Sequence, residues 1–189
     1  MAAGSREAVP PGQYVTRDFP VLHVGGIPRF DPQRWAFSIF GEVEEPVQLT
    51  YQEFMALPTV RVVADFHCVT TWSAMGIAWE GVAFTEVMKR VRPKPGARFV
   101  MLHSEGGYST NVPLDVLLDE DVLFAYRRDG HDLEPEHGWP LRLVVPKRYG
   151  WKSAKWVRGL EFMLKDRPGF WEQRGYNNSA DPWQEERYW

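Results

Sequence analysis

Apolar and polar residues alternate in "RWAFSIFGEV", which places Trp35, Phe37 and Ile39 on one side of an extended chain and predicts a strand. The next stretch, "LTYQEFMALP", has Thr50 and Glu53 at capping-box spacing, Phe54 and Leu57 on one side and Pro58 beyond the end, so a short helix is expected. β-Branched and apolar residues fill "VRVVADFHCV" from Val60, a buried strand that ends near Cys68. A second short helix fits "FTEVMKRV", a strand fits "RFVMLHS" from Arg98, and "LDVLLD" reads as one helical turn or two. The strand "VLFAYR" then runs into a turn at "RDGH". Two final strands, "WPLRLVVP" and "AKWVRGLEFML", are joined by "KRYGWKS". Many short strands with brief helices between them predict a β-rich α+β domain.

Two segments fit neither period. From Phe19 to Pro32, "FPVLHVGGIPRFDP" sets two glycines and three prolines among apolar residues, which suits an extended strap whose backbone comes close to something. Residues 1–18 read as a loose N-terminal arm, and 19–189 as one domain.

Composition narrows this picture. A chain of 189 residues, 44% of them hydrophobic, fills one core and falls short of the usual length of two domains. Lys and Arg total 22 against 25 Asp and Glu, so a net charge of −3 gives no electrostatic reason to expect nucleic acid or an anionic membrane. A small-molecule partner fits better. No apolar run has the length of a secretory core or a membrane span, and a cytoplasmic location is expected. Six of the 9 tryptophans lie between Trp139 and Trp189. Such rings need packing surface and an N–H acceptor, so the C-terminal tail should wrap on the body.

The candidate chemistry centres on "DFHCVTTWS", which holds the lone cysteine, Cys68. A free cysteine at the end of a core strand is often a small inert apolar residue. Neighbouring side chains on an extended backbone point to opposite faces, which opposes a thiolate–imidazole pair between Cys68 and His67. A zinc site would have to gather His23, His67, His103, His131 or His137 around one thiol, and no two of these have zinc-motif spacing. A redox-sensing thiol remains open at this level. Arg142 lies inside an apolar strand, where a guanidinium needs a partner: a phosphate held bidentately, or a buried Asp or Glu.

Taken together, "FHCVTTWS", "HGWPLRLVVP" and "YGWKSAKW", in this order and at these separations, resemble the molybdopterin-binding domain of the sulfite oxidase family. The resemblance runs from about Phe19 to the C-terminus and implies that family's fold, with short helices between mixed sheets. It implies that Cys68 binds molybdenum directly and that an enedithiolate from the pterin supplies two more sulfurs, which explains how one cysteine can suffice. It also implies cofactor contacts at His23 and Val24 in the strap, at Ser104, at His137, at Arg142, and at Ser153, Ala154 and Lys155 in a phosphate-binding loop. Lys147, Arg148 and Lys152 nearby read as a solvated basic loop. Tyr176, in "FWEQRGYNN", matches a tyrosine of the substrate pocket; as an ordinary residue it would anchor the tail.

Sulfite-oxidising members resemble this chain but carry arginines shortly after the cysteine. Here "CVTTWSAMGIAW" has no Arg or Lys between Cys68 and Trp79. The pattern C-V-x-x-W-S is closer to the bacterial methionine-sulfoxide reductase catalytic subunit. The resemblance therefore implies an oxidoreductase that moves an oxygen atom, with reduction of a small neutral S-oxide or N-oxide favoured. Sulfite dehydrogenation and non-catalytic molybdopterin binding are the alternatives. With no haem-domain motif in the sequence, it also implies an external electron donor or acceptor.

Overall fold

The computed structural model describes residues 9–189. The path begins at β1 (Tyr14–Val15), crosses the strap without regular structure, and enters β2 (Ala36–Gly41) and β3 (Val47–Thr50). Helix α1 (Tyr51–Met55) follows, then β4 (Val60–His67), β5 (Trp72–Ala83), α2 (Phe84–Met88), β6 (Phe99–Ser104), β7 (Ser109–Pro113) and α3 (Leu114–Leu117). The chain closes with β8 (Leu123–Arg128), β9 (His131–Asp132), β10 (Arg142–Val144) and β11 (Val157–Met163), and then a tail of short 3-10 turns.

These strands make two mixed sheets. One has the order β3-β2-β11-β6-β7, parallel only between β2 and β11. The other runs β1-β5-β8-β10, with β4 also on β5 and β9 on β8, and is parallel only between β1 and β5. Phe37, Ile39, Leu160 and Phe162 from the first sheet pack with Phe84, Phe124 and Leu143 from the second side of the molecule to form the main core. A second apolar cluster gathers Phe66, Cys68, Trp72, Trp79, Tyr149 and Trp151. Cys68 therefore lies in a packed region of its own.

The capping box forms as expected: Thr50 N–H donates to Glu53 at 2.8 Å, and Glu53 N–H donates to Thr50 Oγ1 at 3.2 Å. The segment "LDVLLD" yields a single helical turn, α3.

Two expectations fail locally. Residues 1–8 of the expected loose arm lie outside the described residues, but the rest of the arm is fastened: Tyr14 and Val15 pair with Trp72 and Ser73, and Tyr14 N–H donates to Thr71 O. Strand β5, at 12 residues the longest of the fold, is absent from the sequence reading. Its glycines hid it. The ladder shifts register between Glu80 and Gly81, and there the β8 backbone comes so close that a Cβ on Gly81 would lie 1.9 Å from Phe124 O. Only glycine fits.

Tryptophan N–H groups in the tail region find acceptors: Trp151 on Glu172, Trp156 on Pro135 O and Trp189 on Glu172 O. The tail wraps on the body, although Trp183 and Trp189 keep much of their surface in solvent.

Candidate active site

Cys68 follows the last residue of β4 and begins the tight turn into β5. Its N–H donates to Trp72 O at 2.9 Å, and Thr71 N–H closes the turn on Cys68 O at 3.1 Å. Thr71 takes a positive φ of 79° to allow this reversal. Further donors hold the turn from outside: Gln13 Nε2 reaches Cys68 O at 3.0 Å, and Arg187 Nη1 reaches Val69 O at 2.6 Å. His67 points elsewhere, with Nδ1 2.8 Å from Ser73 Oγ, and burial lowers its pKa. The predicted separation of imidazole and thiol is present.

Cys68 opens onto a cavity of about 320 Å³, within the size range of small-molecule sites. Of the residues expected at a cofactor or substrate, His23, Val24, Cys68, Arg142, Ser153, Ala154, Lys155 and Tyr176 line it. Ser104 and His137 do not. Ser104 is buried at the end of β6 with its hydroxyl unpaired, and the following turn, Glu105 and Gly106, forms the wall instead. His137 sits behind the strap. Its Nε2 donates to Phe19 O at 2.9 Å and its Nδ1 lies 3.0 Å from Glu134 Oε2, so both ring nitrogens are engaged within the protein.

Arg142 lies 1% exposed, and its terminal nitrogens donate to His137 O at 3.0 Å and Ser153 O at 3.1 Å. Among the described residues no carboxylate meets it. Its Nε has no hydrogen-bond acceptor among the described residues, and its guanidinium carbon lies 5.2 Å from the Phe66 ring centroid. Burial, together with the nearby Arg128 charge, pushes its pKa down to about 9. Lys155 Nζ donates to Leu22 O at 2.8 Å and Glu136 O at 2.6 Å. Burial and the Arg142 charge push its pKa down to about 7. Two cations thus line one cavity with only neutral carbonyls as partners among the described residues. Buried charge of one sign is costly, and an anion entering the cavity would relieve it.

The neighbouring basic residues behave differently from expectation. Lys147 pairs with Asp119 at the surface, but Lys152 is buried, donating to Asn111 O and lying 2.7 Å from Glu172 Oε1. Ser153 lines the cavity with its N–H already donated to Gly150 O at 3.1 Å.

The remaining wall is aromatic: Trp72, Tyr108, Trp151, Phe170, Trp171 and Tyr176. Tyr176 stacks on Trp171 at 4.8 Å and meets Trp151 edge-on at 5.0 Å, and burial raises its phenol pKa. Glu172 fixes this wall from behind, accepting from Trp151 Nε1 at 2.9 Å and Thr110 Oγ1 at 2.7 Å. Glu172, Trp151, Gln13 and Arg187 were missed by the sequence reading; only the density of tryptophan hinted at the wall.

Among the described residues no group of three or more His, Cys, Asp or Glu converges on a metal-sized site. A metal at Cys68 must bring its other donors, as one on a dithiolene-bearing cofactor does. The unpaired Arg142 Nε, and two cations that hydrogen-bond no carboxylate among the described residues, fit a cofactor with a phosphate and many hydrogen-bonding edges.

The family described as "Oxidoreductase molybdopterin binding domain" matches residues 24–171. The chain belongs to this family. It is a molybdopterin-binding oxidoreductase domain whose cofactor carries molybdenum. It is 45% identical over 181 residues to the uncharacterized oxidoreductase YuiH of Bacillus subtilis (strain 168), covering 95% of this chain and 91% of that one. It is 30% identical over 171 residues to the putative protein-methionine-sulfoxide reductase subunit YedZ1 of Azospira oryzae, covering 88% of this chain and 64% of that protein. Among solved structures, the sulfane dehydrogenase SoxCD of Paracoccus pantotrophus superposes with a TM-score of 0.68 at 23% identity, over 79% of this chain and 42% of that one. This last likeness supports the sulfite oxidase type of fold. No helix among the described residues is long and apolar enough to cross a membrane.

Proposed function

We propose that this molybdopterin-binding domain reduces a small neutral S-oxide, with Cys68 as the protein ligand to molybdenum. The observation that carries the reading is the division of the cavity. Arg142 and Lys155 lie beside the strap, at the Phe19 ring and Leu22 O, whereas the lining from Trp72, Trp151, Trp171 and Tyr176 contributes no cation among the described residues. A sulfite dianion would find no charge partner on that wall, while a thioether S-oxide would meet polarizable aromatic faces that suit sulfur.

In this reading the bound molybdenum supplies two-electron exchange of an oxygen atom. The net reaction takes an S-oxide, two electrons and two protons to a thioether and water. The protein's share is placement. Arg142 and Lys155 hold the cofactor's phosphate and polar edges, with His23, Val24 and the backbone at Ala154 closing over it. Tyr176, whose ring is held by Trp171 and Trp151 at the cavity wall, would donate a hydrogen bond to the oxygen being transferred. The aromatic wall limits water at the reacting atoms. Electrons arrive from an external donor.

The experiment is turnover of loaded protein with a reduced viologen dye against dimethyl sulfoxide, methionine sulfoxide and trimethylamine N-oxide, beside sulfite with an electron acceptor. Dye oxidation with an S-oxide is expected. Sulfite-dependent reduction of the acceptor would assign the dehydrogenase alternative, and absence of turnover in molybdenum-loaded protein would assign a cofactor-binding role.

A further inference from the structure

Cys68 Sγ lies 3.1 Å from Thr70 Oγ1. In a cofactor-free thiol either atom can donate. A metal-bound thiolate has no proton, so the hydroxyl is then the only possible donor of the two. Among the described residues no other hydrogen bond reaches Sγ; the adjacent Val69 is apolar, and the indole N–H of Trp72, four residues on, is buried without a hydrogen-bond partner.

The turn fixes this contact. Cys68 O accepts from Thr71 N–H and Gln13 Nε2, Val69 O from Arg187 Nη1, Thr70 O from Thr71 Oγ1, and Thr71 O from Tyr14 N–H. Every carbonyl from Cys68 to Thr71 thus has a donor, two of them from the N-terminal segment and one from the C-terminal tail. Thr70 also lines the cavity, on the same side as the thiol.

We propose that Thr70 is a positioning residue that donates a hydrogen bond to the Cys68 thiolate and, through it, raises the reduction potential of the bound metal. The inference rests on Cys68 as molybdenum ligand. A hydrogen bond draws electron density from sulfur, weakens its donation to the metal and favours the reduced state; donors to ligand sulfur tune other thiolate centres in the same sense.

The test compares wild type, Thr70→Val and Thr70→Ser, all produced in a host that makes molybdopterin. Valine keeps the β-branched shape and loses the donor; serine keeps the donor. The readouts are the midpoint potential, followed by the Mo(V) paramagnetic signal, and the energy of the sulfur-to-metal charge-transfer absorption. Thr70→Val is expected to have a lower midpoint and a red-shifted band, with molybdenum content equal to wild type. Thr70→Ser is expected to stay with wild type. Should the valine variant lose its cofactor, Thr70→Ala gives the same comparison. A molybdenum-loaded wild type whose potential and band are unmoved by loss of the hydroxyl overturns this inference alone, as does a serine variant that behaves like valine. A wild type that binds no molybdenum overturns both this inference and the assignment of Cys68.

Discussion

Lys152 Nζ and Glu172 Oε1 lie 2.7 Å apart with side chains 1% and 0% exposed, and join the loop before β11 to the tail behind the cavity. The same carboxylate oxygen accepts from Thr110 and Trp151, so one buried charge pair sets both the tail's position and the tryptophan that meets Tyr176.

Removing one member strands the other. Glu172→Ala should destabilise the domain by about 3–5 kcal/mol, the usual cost of leaving a buried charge unpaired. Glu172→Gln, which keeps acceptors for Trp151 and Thr110, should cost less. Urea denaturation of the cofactor-free proteins measures both.

Arg142→Met removes a buried cation that has no carboxylate partner among the described residues. Loss of one charge-assisted hydrogen bond is worth about 1.5–3 kcal/mol, so cofactor retention should fall by about ten- to a hundred-fold. Molybdenum and pterin content after dialysis report it. Retention at the wild-type level would remove Arg142 from the anion site.

Lys155 gives the cofactor-free protein a defined pH dependence. Its folded pKa of about 7 is below the ordinary 10.5, so between these values the unfolded chain binds more protons and stability rises with pH. Below about 7 both states are protonated and the burial penalty is constant. Lys155→Met should flatten this slope between pH 7 and 10.5, read from denaturation midpoints across that window.

Gly81→Ala places a methyl group against the β8 backbone at Phe124 O. Overpacking of this kind costs about 3 kcal/mol, and a depressed melting temperature is expected without any change at the cavity.

What could be read from the sequence follows the range of the interactions involved. Trp35, Phe37 and Ile39 declare their strand by alternation, and Thr50 with Glu53 declares a helix start, because each signal spans only a few residues. Strand β5 escaped because Gly76 and Gly81 interrupt the apolar pattern, and the need for Gly81 comes from β8, far along the chain. At the site, Cys68, Arg142 and Lys155 were reached through motifs carried within short segments. His137 was placed correctly in the chain but not in space, since its partners Phe19 O and Glu134 are visible only once the strap is folded over it. Gln13 and Arg187 reach the cysteine turn from the two chain ends, and nothing local marks either one.

The proposed activity depends first on Cys68 being the protein's ligand to molybdenum. The most direct test of this ligation is elemental analysis by plasma mass spectrometry of wild type and Cys68→Ser, both produced with molybdate in a host that makes molybdopterin. Near-stoichiometric molybdenum in wild type, sharply reduced in the variant or altered in its spectrum, is the predicted result. Molybdenum absent from both, or present in both with identical spectra, would contradict the assignment and return Cys68 to the aromatic cluster as a packing residue.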